Sequence, residues 1–122
     1  MMARRNKYGA KLTRIDGHLF RSRWEGELYL QLKLLERAGE ISGLSATPPK
    51  FKLCADYFCE RTGKMVKAPT YTPDFYYTDC DGKIVYIDAK GKTLAVNKVK
   101  RKIVESRHGV IVWFVYEDGR RE

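Results

Sequence analysis

Two extended runs on either side of Asp79-Cys80-Asp81-Gly82 constrain this chain more than any other feature. Asp-Gly is a strong hairpin signal, because its glycine accepts the backbone conformation that a tight reversal requires. Thr70 to Tyr77 and Lys83 to Ala89 are therefore expected to pair antiparallel. Such pairing carries Asp74, in Tyr71-Thr72-Pro73-Asp74-Phe75, alongside Asp88, in Ile87-Asp88-Ala89-Lys90. Strand side chains alternate between faces, so Asp88 and Lys90 project to one side. They interrupt an otherwise apolar run beginning at Ile84, where burial favours neither. Taken singly, each has an ordinary explanation: Asp88 with Lys90 as an edge-strand ion pair, and Asp74 as a turn residue.

The rest of the chain supplies helices and further strands. Trp24, Leu28, Leu32 and Leu35 recur at helical spacing and Gly39 stands where a helix stops, which predicts a helix over 22–38. Ser22 and Glu25 have the spacing of a capping box, so Glu25 has a structural role available. On a helical wheel Glu25 falls beside Leu32, on the flank of the apolar stripe, whereas Glu27 points away. Glu25 is thus the better candidate for a site beside a sheet. Ile41 to Pro49 is turn-rich, and Pro48-Pro49 forces an extended start near Lys50. Phe51, Leu53, Ala55 and Tyr57 then alternate with Lys52, Cys54, Asp56 and Phe58, and Glu60-Arg61-Thr62-Gly63 turns the chain into a second, antiparallel run. A second helix is expected from an Asn97 cap to about Arg107, with Val99, Ile103 and Val104 inward, Lys98, Lys100, Arg101 and Lys102 outward, and Gly109 as its stop. The apolar run Val110 to Tyr116 suits a strand covered on both faces and joined by a parallel crossover. The fold class is α/β, a mixed central β-sheet flanked by helices.

Charge narrows the partner. The chain has 122 residues, 24 Lys+Arg against 15 Asp+Glu, and a net charge of +9, which makes nucleic acid the leading partner. No apolar run spans a membrane and no apolar signal core opens the chain, so a cytoplasmic protein is expected. Cys54, Cys59 and Cys80 are odd in number and irregularly spaced, which argues against a disulfide framework or a zinc knuckle. Residues 1–21 hold Arg4, Arg5, Lys7, Lys11, Arg14 and Arg21 against Asp16 alone and read as a basic arm, leaving 22–122 as the domain. Arm cations, with Lys92, Lys98, Arg101 and Lys102, are the candidates for phosphate contact; a solvated surface is their bland alternative. Two carboxylates converging at a sheet end repel one another unless a hard cation lies between them, and magnesium prefers oxygen ligands.

At these residues the chain resembles the PD-(D/E)XK nuclease superfamily. Pro73-Asp74 matches the first half of the motif and Asp88-Ala89-Lys90 the second, in the order α-β-β-β-α-β of that restriction-endonuclease-like core, from about Ser22 to Tyr116. More narrowly, Ser22 to Glu25, Gly39 to Ile41, Pro49 to Leu53, Tyr71 to Phe75 and Ile87 to Gly91 look like small phage-encoded nucleases similar to Holliday-junction resolvases. The resemblance implies that Glu25 is the helix-borne acid, that Asp74, Asp88 and the Ala89 carbonyl ligate Mg2+, with Mn2+ as a substitute, and that Lys90 is the catalytic lysine. It also implies a recombination-associated enzyme of an infected bacterial cytoplasm. One departure is Pro48, where relatives often place Gln.

Two readings follow. In the first, a homodimer cuts branched DNA through two symmetry-related sites, since so short a chain has little room for a separate sequence-reading domain; nicking or restriction-like cutting is a variant of it. In the second, a non-catalytic module holds phosphates, and binding survives loss of the acids.

Overall fold

A computed structural model describes residues 12–122. In chain order it contains β1 (Thr13–Ile15), β2 (His18–Phe20), helix α1 (Arg23–Arg37), β3 (Ser42–Ser45), β4 (Phe51–Lys52), β5 (Tyr57–Cys59), β6 (Lys64–Val66), β7 (Thr70–Tyr71), β8 (Phe75–Thr78), β9 (Ile84–Lys90), helix α2 (Ala95–His108) and β10 (Val112–Tyr116). The main sheet runs β10-β9-β8-β3, with β9 parallel to β10 and antiparallel to β8, and β8 antiparallel to β3. It is a mixed sheet, as the sequence predicts. No helix among the described residues is long and apolar enough to cross a membrane.

Alternation along β9 and β10 sorts the apolar side chains into two cores. Ile87 and Val115 pack with Phe75, Tyr77 and the α1 residues Leu28, Tyr29 and Leu32. Tyr86, Val112, Phe114 and Tyr116 pack with Val104 of α2 and with Phe51, Leu53 and Tyr71 from the β4–β7 ladder. Each helix also carries a glutamate that receives the N–H of a following strand: Glu36 Oε2 accepts from Leu44 at 2.9 Å and Glu105 Oε2 from Val112 at 2.9 Å. Such bonds fix strand position at the ladder edge, where a lost partner would leave a backbone donor stranded.

Helix α1 begins where Ser22 Oγ accepts the Glu25 N–H at 3.1 Å. It ends in a Schellman arrangement, with Gly39 at φ 79 and Glu40 N donating to Leu35 O at 3.0 Å. The buried stripe is Leu28, Tyr29 and Leu32, flanked by Trp24; Leu35 is 43% exposed and does not belong to it.

Several expectations are corrected. Residues 13–20, read as part of a basic arm, form the β1–β2 hairpin, and Phe20 is 2% exposed in the core. Gly26 lets the hairpin pack closely on α1, since a Cβ there would meet Ile15 Cδ1 at 3.0 Å and require it to shift. Residues 1–11 of the arm lie outside the described residues. Ser42–Ser45, within the segment read as turns, adds an edge strand to the sheet, with a register shift between Ser42 and Ser45. The run from Lys50 is interrupted: Phe51–Lys52 pairs with Thr70–Tyr71, while Tyr57–Cys59 pairs with Lys64–Val66, so Ala55 and Tyr57 are exposed. Pro73-Asp74 likewise splits the expected 70–77 strand into β7 and β8. Helix α2 is capped at Leu94 with no side-chain bond rather than by Asn97, and Val99 is 54% exposed.

Candidate active site

At the open end of the β8–β9 hairpin, Arg21, Glu25, Tyr71, Thr72, Asp74, Asp88, Ala89 and Lys90 line one cavity of about 330 Å3. The antiparallel pairing was expected, and its register, Phe75 against Ile87, sets Asp74 and Asp88 side by side. Backbone and side chain then interlock. Asp74 N donates to Ile87 O at 3.0 Å and to Asp88 Oδ1 at 2.8 Å, and Ala89 N donates to Asp74 Oδ2 at 2.9 Å. Each carboxylate thus spends one oxygen on the other's strand, which holds both side chains in place.

The second oxygens differ. Asp88 is 3% exposed, and its Oδ2 is buried with no hydrogen-bond partner; Lys90 Nζ lies 3.8 Å away. Lys90 shares the face of Asp88, with its ammonium 5.0 Å from the Phe114 ring centre. Asp74 Oδ1 accepts from Arg21 Nη2 at 3.2 Å. Arg21 Nε is also 4.0 Å from Glu25 Oε2, so one guanidinium spans the helix acid and the strand acid. The Arg21 side chain is nonetheless 79% exposed.

Glu25 enters from the first turn of α1, while Glu27 pairs with Arg23 at 3.3 Å on the surface. Burial raises the Glu25 carboxyl from 4.5 to about 7, with repulsion from Asp74 adding to it and Arg21 opposing. Burial also raises Asp74, against the Ala89 N–H and Arg21, and raises Asp88, against Lys90 and the Asp74 N–H. Three acids that share a cavity and resist ionisation together form a hard-oxygen donor set that a divalent cation would relieve. Among the described residues, no three His, Cys, Asp or Glu side chains are already grouped as metal ligands; the arginine bridge occupies the space between two of the candidates. The residues fit such an ion through their chemistry, above all the unpartnered Asp88 Oδ2.

The remaining basic candidates divide. Arg14, Lys92 and Lys102 are exposed, and Lys98 pairs with Glu122 at 3.5 Å. Arg101, expected to point outward, turns in: its guanidinium stacks 3.9 Å from the Phe114 ring centre and donates to Glu122 O at 2.6 Å. Arg4, Arg5, Lys7 and Lys11 lie outside the described residues. Sequence reasoning did not place two of the cavity residues there. Arg21 was read as an arm cation for phosphate contact, although its spacing of four from Glu25 signalled a pair across the helix start. Tyr71, whose buried hydroxyl has no partner, gave no signal beyond its place before Thr72-Pro73-Asp74.

Two strand acids, a helix acid and a lysine around one cavity define a mixed α/β protein with an acidic, lysine-bearing site. The chain belongs to the family described as protein of unknown function (DUF1064), which matches residues 5–118. No curated protein and no solved structure is a significant match.

Proposed function

We propose that this protein is a metal-dependent DNA endonuclease with a restriction-endonuclease-like core, acting on branched DNA as a homodimer. The observation that carries the reading is the meeting of Glu25, Asp74, Asp88 and Lys90 in one cavity, with a buried carboxylate oxygen left unpartnered. Asp74, Asp88, Glu25 and the Ala89 carbonyl would hold magnesium or manganese. Magnesium at such a site supplies Lewis acidity toward a phosphodiester and lowers the pKa of water. Lys90, anchored beside Asp88, positions the attacking water or stabilises charge developing on the phosphoryl oxygens. The crossed backbone bonds between Asp74 and Asp88 keep both carboxylates in place, so little reorganisation accompanies the reaction. A net charge of +9 favours a polyanionic substrate.

One observation favours a non-catalytic DNA-binding module: Arg21 already bridges Glu25 and Asp74, so the acids are partly neutralised without any added ion. The deciding experiment incubates the protein, Asp74→Ala and Lys90→Ala with a labelled four-way junction and a matching duplex, in magnesium or chelator. Magnesium-dependent cutting of the junction, lost in both variants while binding persists, supports the nuclease. Binding without cutting under any divalent metal leaves the module.

A further inference from the structure

We infer that the β5–β6 hairpin is a wedge that stacks Phe58 and Met65 against unpaired or unstacked bases of the nucleic acid. Because it takes DNA as the ligand, the inference rests on the reading above.

Phe58 and Met65 are direct cross-strand partners, and such partners share one face of a hairpin. They are 57% and 65% exposed. The opposite face carries Tyr57, 51% exposed, and Cys59, which is buried, so the face of Phe58 and Met65 is the more open of the hairpin's two. Its tip is well defined: Gly63, at φ 69, donates to Cys59 O at 2.8 Å, and hydrogen bonds from Thr62 hold the Cys59 thiol below its ordinary range. An exposed phenylalanine beside an exposed methionine on a two-stranded arm is the side-chain type that enters base steps.

Charge complementarity selects the occupant. Arg61 in the turn, Lys64 beside Met65 in sequence and Lys67 just past the second strand are exposed and form no ion pair among the described residues. A second copy of the hairpin would set these cations against their own kind. Two side chains are also far short of the roughly 800 Å2 per partner that a stable protein interface buries. Nucleic acid meets both requirements, with phosphates for the cations and base faces for Phe58. Val66 and Thr72, which lines the cavity, are six residues apart, at most about 20 Å of extended chain. Wedge and acids can therefore act within one turn of a duplex, about 34 Å.

The test uses a four-way junction carrying 2-aminopurine beside the branch, with the full chain in chelator, and compares it with the Phe58→Ala/Met65→Ala double variant. Both positions are exposed, so circular dichroism should be unchanged. The expected result is a fluorescence rise with wild type that the variant loses, together with about tenfold weaker junction binding. Equal fluorescence and affinity in the two proteins would overturn the wedge, as would unchanged affinity accompanied by a shift in elution volume, which would mark a contact between copies. Parallel cutting assays in magnesium separate the two claims. Cutting with no rise sinks the wedge alone, whereas a Phe58-dependent rise with no cutting sinks the nuclease alone.

Discussion

The two ends of the β8–β9 hairpin are both built from aspartates, and they use them in opposite ways. At the closed end, exposed turn geometry satisfies Asp79 locally: its Oδ1 accepts from Asp81 N and Lys83 N, both at 2.9 Å. At the open end, Asp74 and Asp88 accept across the strands, and burial leaves Asp88 Oδ2 without a partner. A turn aspartate consumes its acceptors in making the fold. The paired aspartates retain acceptor capacity beyond what the fold uses, at a cost in stability.

This contrast can be broken by substitution. Asp88→Asn keeps the shape and removes the charge, so junction cutting should fall by a factor on the order of 1,000, about 4 kcal/mol, while the melting temperature does not fall. A drop in melting temperature matching the drop in cutting would make the open end a structural pair like any other. Glu25→Gln tests the electrostatic cost. The folded carboxyl sits at about 7 against 4.5, so folded protein binds more protons between those values and wild-type stability without divalent metal declines as pH rises through that window. The variant should lose this slope and, at pH 8, be more stable by about 1–3 kcal/mol. A parallel pH profile for both proteins would contradict the assignment.

Magnesium should stabilise the wild type by about 1–2 kcal/mol when present at ten to thirty times its dissociation constant. Trp24, beside Glu25 in sequence and bonded through Nε1 to Val115 O at 3.0 Å, offers a fluorescence readout of the same titration. Neither signal should survive in Asp88→Asn; its persistence would place the ion elsewhere. The smallest effect is expected at the closed end, where Asp79→Ala should cost about 1 kcal/mol by urea denaturation and leave cutting untouched. A loss of cutting there would mean that the two ends are coupled.

What the sequence disclosed follows the strength of its local signals. The Asp-Gly reversal, the Ser22 cap, the Gly109 stop and the alternation around Asp88 are each set by near neighbours, and the structure contains them all. Strands of two to four residues, such as Thr13–Ile15, Ser42–Ser45 and Phe51–Lys52, are too short for alternation to register and exist because tertiary partners pair with them. Arg101 was misread because a helical wheel cannot anticipate a ring 13 residues away; the Phe114 face draws its guanidinium inward. Glu25 was legible as a cap and, from its place on the flank of the apolar stripe, as the helix acid nearest a site beside the sheet; its distance from Asp74 and Asp88 depends on how α1 crosses the sheet, which no local pattern encodes.

The return of the chain after β10 has a further consequence. Phe114 and Glu122 exchange backbone hydrogen bonds at 2.9 Å, and Tyr116 N donates to Arg120 O at 2.9 Å. On the far side of the sheet, β3 breaks register between Ser42 and Ser45, with Gly43 at φ 66. One border is thus already paired and the other is crooked. Neither offers the long, flat row of free amides on which foreign strands polymerise, so the sheet is protected from amyloid-like growth independently of its surface charge.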